Sequence, residues 1–377
     1  MRYMIPLGEV AEFINGAAFK PEDWHENGRK IIRIQNLNDS SKPYNLTTRN
    51  VDKKYEVNTG DILVSWSASL GVFEWLEMET AWLNQHIFKV IPDKAKVHKN
   101  YFKYSLGKAL NDMECYLHGA TMKHVNRKEF LSTKIYVPPL EEQRRIAAIL
   151  DKADGVRRKR KEAIRLTEEL LRSTFLEMFG DPVTNPKGWE KIKLGNLCTI
   201  VRGGSPRPIN DYLGGSIPWI KIGDATEGDD IYIHKTAEAI KPDGVKKSRY
   251  LEPGSLIFAN CGVSLGFARI LKIAGCIHDG WLAFSDLDKS INQIFLLKLL
   301  NSITEHFRAI APAGTQPNLN TTIMKNFEIP VPPIDLQEKF AVVSHYLTDS
   351  IQKNSEMFKE SENLFNSLLQ RAFRGEL

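Results

Sequence analysis

Cysteine is scarce in this chain of 377 residues: Cys115, Cys198, Cys261 and Cys276 are the full set, and no two form a C-x-x-C pair. That excludes a zinc ribbon and a dithiol redox motif. Nowhere does an apolar run approach the roughly 20 residues a membrane span needs. The opening MRYMIPLGEV has no apolar stretch of signal-peptide length, so a soluble, cytoplasmic chain is expected. A phosphate-binding G-x-x-x-x-G-K-[ST] loop is missing, as are a G-x-G-x-x-G between strand and helix and an H-E-x-x-H metal helix. The N/D-P-P-Y/F element with which amino-methyltransferases grip their target amine is missing too. The nine histidines are scattered, and His118 with His124 makes a poor metal pair. Pro21-Glu22 with Asp52-x-Lys54 is too loose a spacing for a nuclease signature. No catalytic residue and no metal ligand is therefore expected in this chain.

What the sequence does have is a long internal repeat. Val137-Pro138-Pro139-Leu140 followed by Gln143 returns as Val331-Pro332-Pro333-Ile334 followed by Gln337, an offset of 194 residues. The same offset of 194 pairs Gly60 with Gly254, Asn126 with Asn320, Ser173 with Ser367 and Phe179 with Phe373. Such a period is far longer than the roughly 20–50 residues of a solenoid and marks a duplicated domain with its connector. Residues 1–139 hold 19 Lys/Arg against 16 Asp/Glu, and residues 187–333 hold 17 against 14. Each repeated part thus carries +3, so the excess behind the formal net charge of +5 sits in those parts, a mild positive bias compatible with nucleic acid.

Each half runs in the same order. An amphipathic opening, PLGEVAEFINGAAF or KLGNLCTIVRGGSPRP, leads to a β-rich stretch in which IIRIQNLN (31–38) matches WIKIGDA (219–225). Both alternate apolar and polar residues as half-buried strands do. An apolar strand then enters a Ser/Gly loop, GDILVSWSASLG or GSLIFANCGVSLG. Helical stretches over 101–117 and 291–310 follow, each ending near a glycine, and then the polar loops GATMKHVN and GTQPNLN. The Pro-Pro pairs mark hard boundaries, because proline fits neither a helix interior nor a central strand. Beyond them lie two long helical patterns. The first places Ile146, Ile149, Ala153, Val156, Ala163, Leu170 and Thr174 on one seam, and the second Leu336, Phe340, Val343, Leu347, Asn354, Met357, Leu364 and Leu368. This is heptad spacing, weakened by Gly155, Arg160 and Asn354. So narrow a seam needs a partner helix, and the two long helices are expected to pair antiparallel.

The segments VPPLEEQRRIAAILDKAD through LLRSTFLEMFGDPVTNPKGW, and IPVPPIDLQEKFAVVSHYLTDS through SLLQRAFRGEL, resemble the two conserved regions of type I restriction-modification specificity subunits. The openings LGEVAEFINGAAF and LGNLCTIVRGGSP and the loop GTQPNLN fit that family as well. The resemblance covers essentially the whole chain. It implies an α+β fold with two similar target recognition domains, 1–136 and 181–330 (the latter with its linker), and two spacer helices, 137–180 and 331–377, in a pseudo-twofold duplication. It implies a non-catalytic DNA-specificity subunit. Each domain would read half of a bipartite double-stranded site, and the helices would set the spacing and dock two methyltransferase subunits. Restriction subunits would complete the assembly. S-adenosylmethionine, ATP and Mg²⁺ are expected on those partners and no cofactor on this chain. A stand-alone nuclease or methyltransferase of this fold, and a coiled-coil protein-binding scaffold, are the alternatives.

Lysine and arginine contact phosphates, while Arg, Lys, Asn and Gln read base edges. The candidates in the first half are Lys20, Arg29, Lys30, Arg33, Gln35, Asn36, Ser65, Trp66, Ser67, Thr121, Lys123, His124 and Asn126. In the second half they are Arg202, Arg207, Lys221, Asp224, Lys246, Lys247, Arg249, Asn260, Gln316, Asn318 and Asn320. Arg33 and Lys221 stand at matching places in matching strands. Trp66 also suits a core position, and Asn126 and Asn320 also suit helix caps or turns.

Overall fold

The computed structural model describes residues 4–67, 69–116, 126–225, 231–262, 264–311 and 318–377. The chain forms two compact units, one of residues 1–159 with 358–377 and the other of residues 160–357. Each unit therefore holds one globular domain, part of the helix Leu140–Phe179 and part of the helix Ile334–Arg374.

In the first unit two four-stranded sheets form the domain. One has the order Ala11–Asn15, Ile87–Pro92, Ile62–Ser65, Gly71–Glu74, with every pairing antiparallel. The other has the order Asn45–Thr47, Arg29–Ile32, Ala81–Leu83, Glu56–Val57, and its central pair is parallel. Strand Ile62–Ser65 is buried on both faces. Its Ile62 and Val64 face Phe102, Leu106 and Leu110 of the helix Lys99–Tyr116. Its Leu63 faces Ile32, Val57 and Leu83 of the second sheet. Period-2 alternation on a strand covered twice yields this sheet–sheet–helix layering.

The second unit repeats the plan with a five-stranded and a four-stranded sheet. Leu256 and Phe258 point toward Phe295, Leu296 and Leu299 of the helix Gln293–Ser302, while Ile257 and Ala259 point toward Ile220, Ile277 and Trp281. Its parallel pair, Leu213–Ile220 with Gly275–Ile277, matches Arg29–Ile32 with Ala81–Leu83.

Both long helices begin directly after their Pro-Pro pairs. Gln143 and Gln337, wholly buried, explain the repeated glutamine. The Gln143 amide nitrogen donates to Pro138 O (2.7 Å) and Lys96 O (2.8 Å), and its oxygen accepts from His98 N (2.8 Å). Gln337 does the same with Pro332 O (2.7 Å), Ser290 O (2.9 Å) and Asn292 N (2.9 Å). Gly60 and Gly254 recur because both hold φ near +90° (87° and 91°), a conformation that glycine adopts without steric cost.

Within each unit the two helices run antiparallel. In the first, Ile146, Ala147 and Leu150 pack with Phe365, Leu369 and Ala372, and Arg157 meets Glu362 and the Phe365 ring. In the second, Phe175 and Phe179 pack on Phe340, and the Arg160 guanidinium lies 3.2 Å from Met357 Sδ. The heptad frame read from the sequence is corrected in part. Val156, Leu170, Val343, Met357 and Leu364 are exposed, and Leu171, Phe175, Phe365 and Leu369 carry the contact instead. The reason is that each helix end packs against a globular domain as well as against its helical partner. Its buried stripe is therefore shifted and broadened relative to an isolated two-helix seam.

Two further expectations change. The segment 31–38 is not one strand: it turns after Ile32 into the short helix Ile34–Asn38. The stretch 291–310 is two helices, Gln293–Ser302 and Thr304–Ile310. Among the described residues no helix is long and apolar enough to cross a membrane.

Candidate nucleic-acid interface

In both domains the chain leaves one sheet and enters the other through a tight turn at the same place. In the first it is Asn84–His86, between strands Ala81–Leu83 and Ile87–Pro92. In the second it is His278–Gly280, between Gly275–Ile277 and Trp281–Ser285. Asn84 N donates to Ile32 O (3.2 Å) and His278 N to Ile220 O (3.0 Å), tying each turn to the parallel neighbour strand. Arg33 and Lys221 come directly after those neighbour strands, so they match in position but lie one residue beyond the strands in which they were expected. On the other side Ala17 N donates to Leu83 O (2.9 Å), and Gly204 N to Ile277 O (3.2 Å).

Around the second turn the structure gathers Arg202, Arg207 and Arg249. Arg202 Nε donates to Asp279 O (2.9 Å), Arg249 Nε to Arg202 O (3.4 Å), and the Arg207 guanidinium lies 3.5 Å from Asp279 Oδ2. Ser205 Oγ donates to Asp279 Oδ1 at 2.7 Å. His278 Nδ1 accepts from Gly280 N (2.9 Å), which leaves Nε2 to face Asp279 Oδ1 at 2.9 Å. Burial pushes the His278 imidazole down, helped by Lys221, Arg207 and Arg202 and opposed by Asp279. Burial alone would raise Asp279, but the Ser205 hydroxyl, His278 and the two arginines outweigh it and hold the carboxyl below its usual range. The turn therefore presents a fixed carboxylate inside a ring of cations.

Lys247 Nζ rests on Tyr212, 2.6 Å from its hydroxyl, and Lys246 is exposed beside it. Lys221 is paired with Glu238, and Asp224 accepts from Lys221 N (2.7 Å) and Ala237 N (2.8 Å), which makes it a loop brace. Asn260 is fully buried and donates to Asn318 Oδ1 at 3.1 Å, so its place is interior. Asn320 caps the helix Thr321–Asn326 by accepting from Ile323 N (2.9 Å). Gln316 lies outside the described residues.

In the first domain a hollow of about 240 Å³ is lined by Arg33, Ile34, Gln35, Asn84, Gln85 and His86. Arg33 donates to Asn45 Oδ1 (2.9 Å) and stacks over the exposed Trp24 ring. Gln35 and Gln85 are exposed. Trp66 is half-buried, stacked on Phe88 (5.5 Å) beside His86 (5.1 Å), and donates to Asn15 Oδ1. Arg29 is paired with Glu56 (2.7 Å), and Lys30 with Glu77 (2.6 Å) and Glu79 (3.2 Å). Those charges are largely neutralised within the fold. Asn36, 4% exposed, donates to Lys42 O and Pro43 O, and Ser65, fully buried, donates to Ser69 O; both are internal braces. Lys20 is exposed at the turn Pro21–Asp23, and Ser67 is half-exposed. Asn126 caps the helix Arg127–Ser132 by accepting from Lys128 N. Thr121, Lys123 and His124 lie outside the described residues.

The sequence reading passed over Asn84, Gln85, His86, Ser205, His278 and Asp279. For all but Ser205 the signal was the repeat itself, since 84–86 and 278–280 also differ by 194. Among the described residues, no group of three His, Cys, Asp or Glu is placed to hold a metal ion.

A family model described as "Type I restriction modification DNA specificity domain" matches residues 3–166 and again 186–356. The chain belongs to this family. Among its relatives, the EcoBI specificity subunit of Escherichia coli is 24% identical across 99% of this chain and 85% of that protein. The MjaIX specificity subunit of Methanocaldococcus jannaschii is 26% identical, but the alignment spans 50% of this chain and 44% of that subunit. The type I system S subunit from M. genitalium superposes with a TM-score of 0.59 at 16% identity, covering 98% of this chain and 96% of that one. A second structure, from a study of type I R-M complex assembly, gives 0.55 at 20% identity, covering 100% and 98%. At those identities the superpositions establish the fold. The duplicated specificity domain is thus the unit that carries each crossing turn with its cations.

Proposed function

We propose that this chain is the non-catalytic specificity subunit of a type I restriction-modification assembly, with each domain reading one half of a bipartite double-stranded DNA site. The observation that carries this reading is the twofold occurrence, once per specificity domain, of a crossing turn that presents polar side chains beside cations: Asn84 and Gln85 near Arg33 in the first, and the half-exposed Asp279 among Arg202, Arg207 and Arg249 in the second. Cations supply sequence-independent attraction to phosphates, and fixed polar side chains supply base discrimination. The two long helices, of 40 and 41 residues, are each roughly 60 Å long at about 1.5 Å per residue. That exceeds one DNA turn of about 34–36 Å, so half-sites on one face of a duplex fall within such a span. On this reading the helices set the spacer and dock two methyltransferase subunits. Restriction subunits join that core, in the cytoplasm where the DNA lies. S-adenosylmethionine, ATP and Mg²⁺ are then held by the partners.

Footprinting of the chain assembled with its methyltransferase subunits tests the proposal. Two separated protected segments are expected, with affinity falling steeply as salt rises. A single contiguous footprint, or none with sequence preference, refutes it. So does methylation or cleavage of DNA by the purified chain alone.

A further inference from the structure

We infer that the crossing turns, Asn84–His86 and His278–Gly280, are the specificity-determining elements of the two domains, with Gln85 and Asp279 meeting base edges. This rests on the DNA-reading function proposed above. A base-reading side chain must be held in place before DNA arrives, whereas a phosphate contact tolerates a mobile one. Arg207, with a side chain 79% exposed, is of the second kind. Asp279 is of the first: Ser205 Oγ at 2.7 Å and His278 Nε2 at 2.9 Å fix one carboxylate oxygen, and the other lies 3.5 Å from the Arg207 guanidinium.

In the first domain it is the backbone of the turn that is fixed, and the exposed Gln85 side chain extends from it. Asn84 and Gln85 donate their backbone N–H groups to Ile32 O (3.2 Å) and Ala17 O (2.7 Å). His86 sits at φ 71°, a conformation few non-glycine residues adopt, and it packs beside Trp66. The Asn84 side-chain oxygen is buried beside the hollow and accepts no hydrogen bond from the described residues. Such an acceptor carries a desolvation cost that a donor from a ligand would relieve.

The two turns offer different chemistry at the same position. Gln85 carries a donor and an acceptor, the pair that matches adenine N7 and N6 in the major groove. Asp279 is ionised and only accepts, which suits the N4 amine of cytosine and repels an edge made of acceptors alone. The substrate feature at each turn is therefore an exocyclic amine, adenine's in one half-site and cytosine's in the other.

The test uses the full chain assembled with its methyltransferase subunits, and a randomised DNA pool in which methylated molecules are sequenced. Wild type, Gln85→Glu, Asp279→Asn and Asp279→Glu are compared. Gln85→Glu is expected to change the preference at one position of one half-site by on the order of tenfold or more, leaving the other half-site intact. The Asp279 variants should do the same in the other half-site. The untouched half-site reports that each variant is folded, and Asp279→Glu covers the case in which Asp279→Asn loosens the turn. Unchanged preferences, or a uniform loss of methylation without a change in preference, overturn the inference alone. A wild-type assembly that methylates without a split motif overturns the DNA-reading proposal and this inference with it.

Discussion

Two glycines decide whether the crossing turns can form. A Cβ added to Gly16 would lie 2.0 Å from Asn84 O, and one added to Gly203 would lie 2.2 Å from His278 O. These are main-chain atoms, held by the bonds that fix the turns, so they cannot swing aside as a side-chain tip can. Gly16→Ala and Gly203→Ala should each cost about 1–3 kcal/mol in denaturant unfolding, the range for forced overpacking. Gly155→Ala provides the contrast. Gly155 lies inside a long helix with nothing within 4 Å of the added carbon, so alanine should stabilise by up to about 1 kcal/mol. If both crossing glycines accept alanine at no cost, the turns are not held as described. At this scale the sequence was a good guide to residue type and a poor one to use. Arg29, Lys30 and Lys221 look like their neighbours in the chain, yet each is committed to a carboxylate. Pairing across a sheet is a long-range event that no local pattern announces.

At the scale of elements, the glutamine clamps anchor each long helix to the loop ahead of its domain's own helix. Replacing Gln143 with leucine removes three hydrogen bonds and leaves the buried Pro138 O and the part-buried Lys96 O and His98 N without them. A cost on the order of 2–4 kcal/mol is expected, since orphaned buried groups are costlier than a lost bond alone. Gln337→Leu should cost the same in the other unit, and hydrogen exchange at His98 and Asn292 would register the two separately. An unprotected amide in the wild type would refute the clamp. The long helices themselves were legible, because Pro-Pro fixed their starts and no proline interrupted them. The frame of their seam was not, because heptad spacing assumes a single partner while these helix ends touch domains as well. The segment 31–38 misled for a related reason: its alternation continues into a helical turn that Asn36 closes through Arg33 N.

At the scale of the whole molecule, neither unit is made of one continuous stretch. Residues 358–377 complete the core of the first unit, where Phe365, Leu369 and Ala372 cover Tyr101, Ile146 and Leu150. Removing them strips apolar cover from a domain more than 200 residues away in sequence. Loss of the two large side chains alone should cost roughly 3–6 kcal/mol. Thermal unfolding of the chain cut after Met357 should therefore show the first unit melting earlier; an unaltered transition would contradict this. The duplication was visible as an offset of 194 residues, and that offset already contained the crossing turns. Their sequences, Asn-Gln-His and His-Asp-Gly, share no residue at matching positions, and so identity could not flag them.

Because neighbouring backbone ties each turn to the strands beside it, an exposed position such as Gln85 can change without unfastening it. A gene encoding such a turn can change one codon and alter the outward-facing chemistry without first passing through an unstable protein. Variation is then cheapest where it has most effect, and two copies of the turn can drift apart while the scaffold beneath them stays the same.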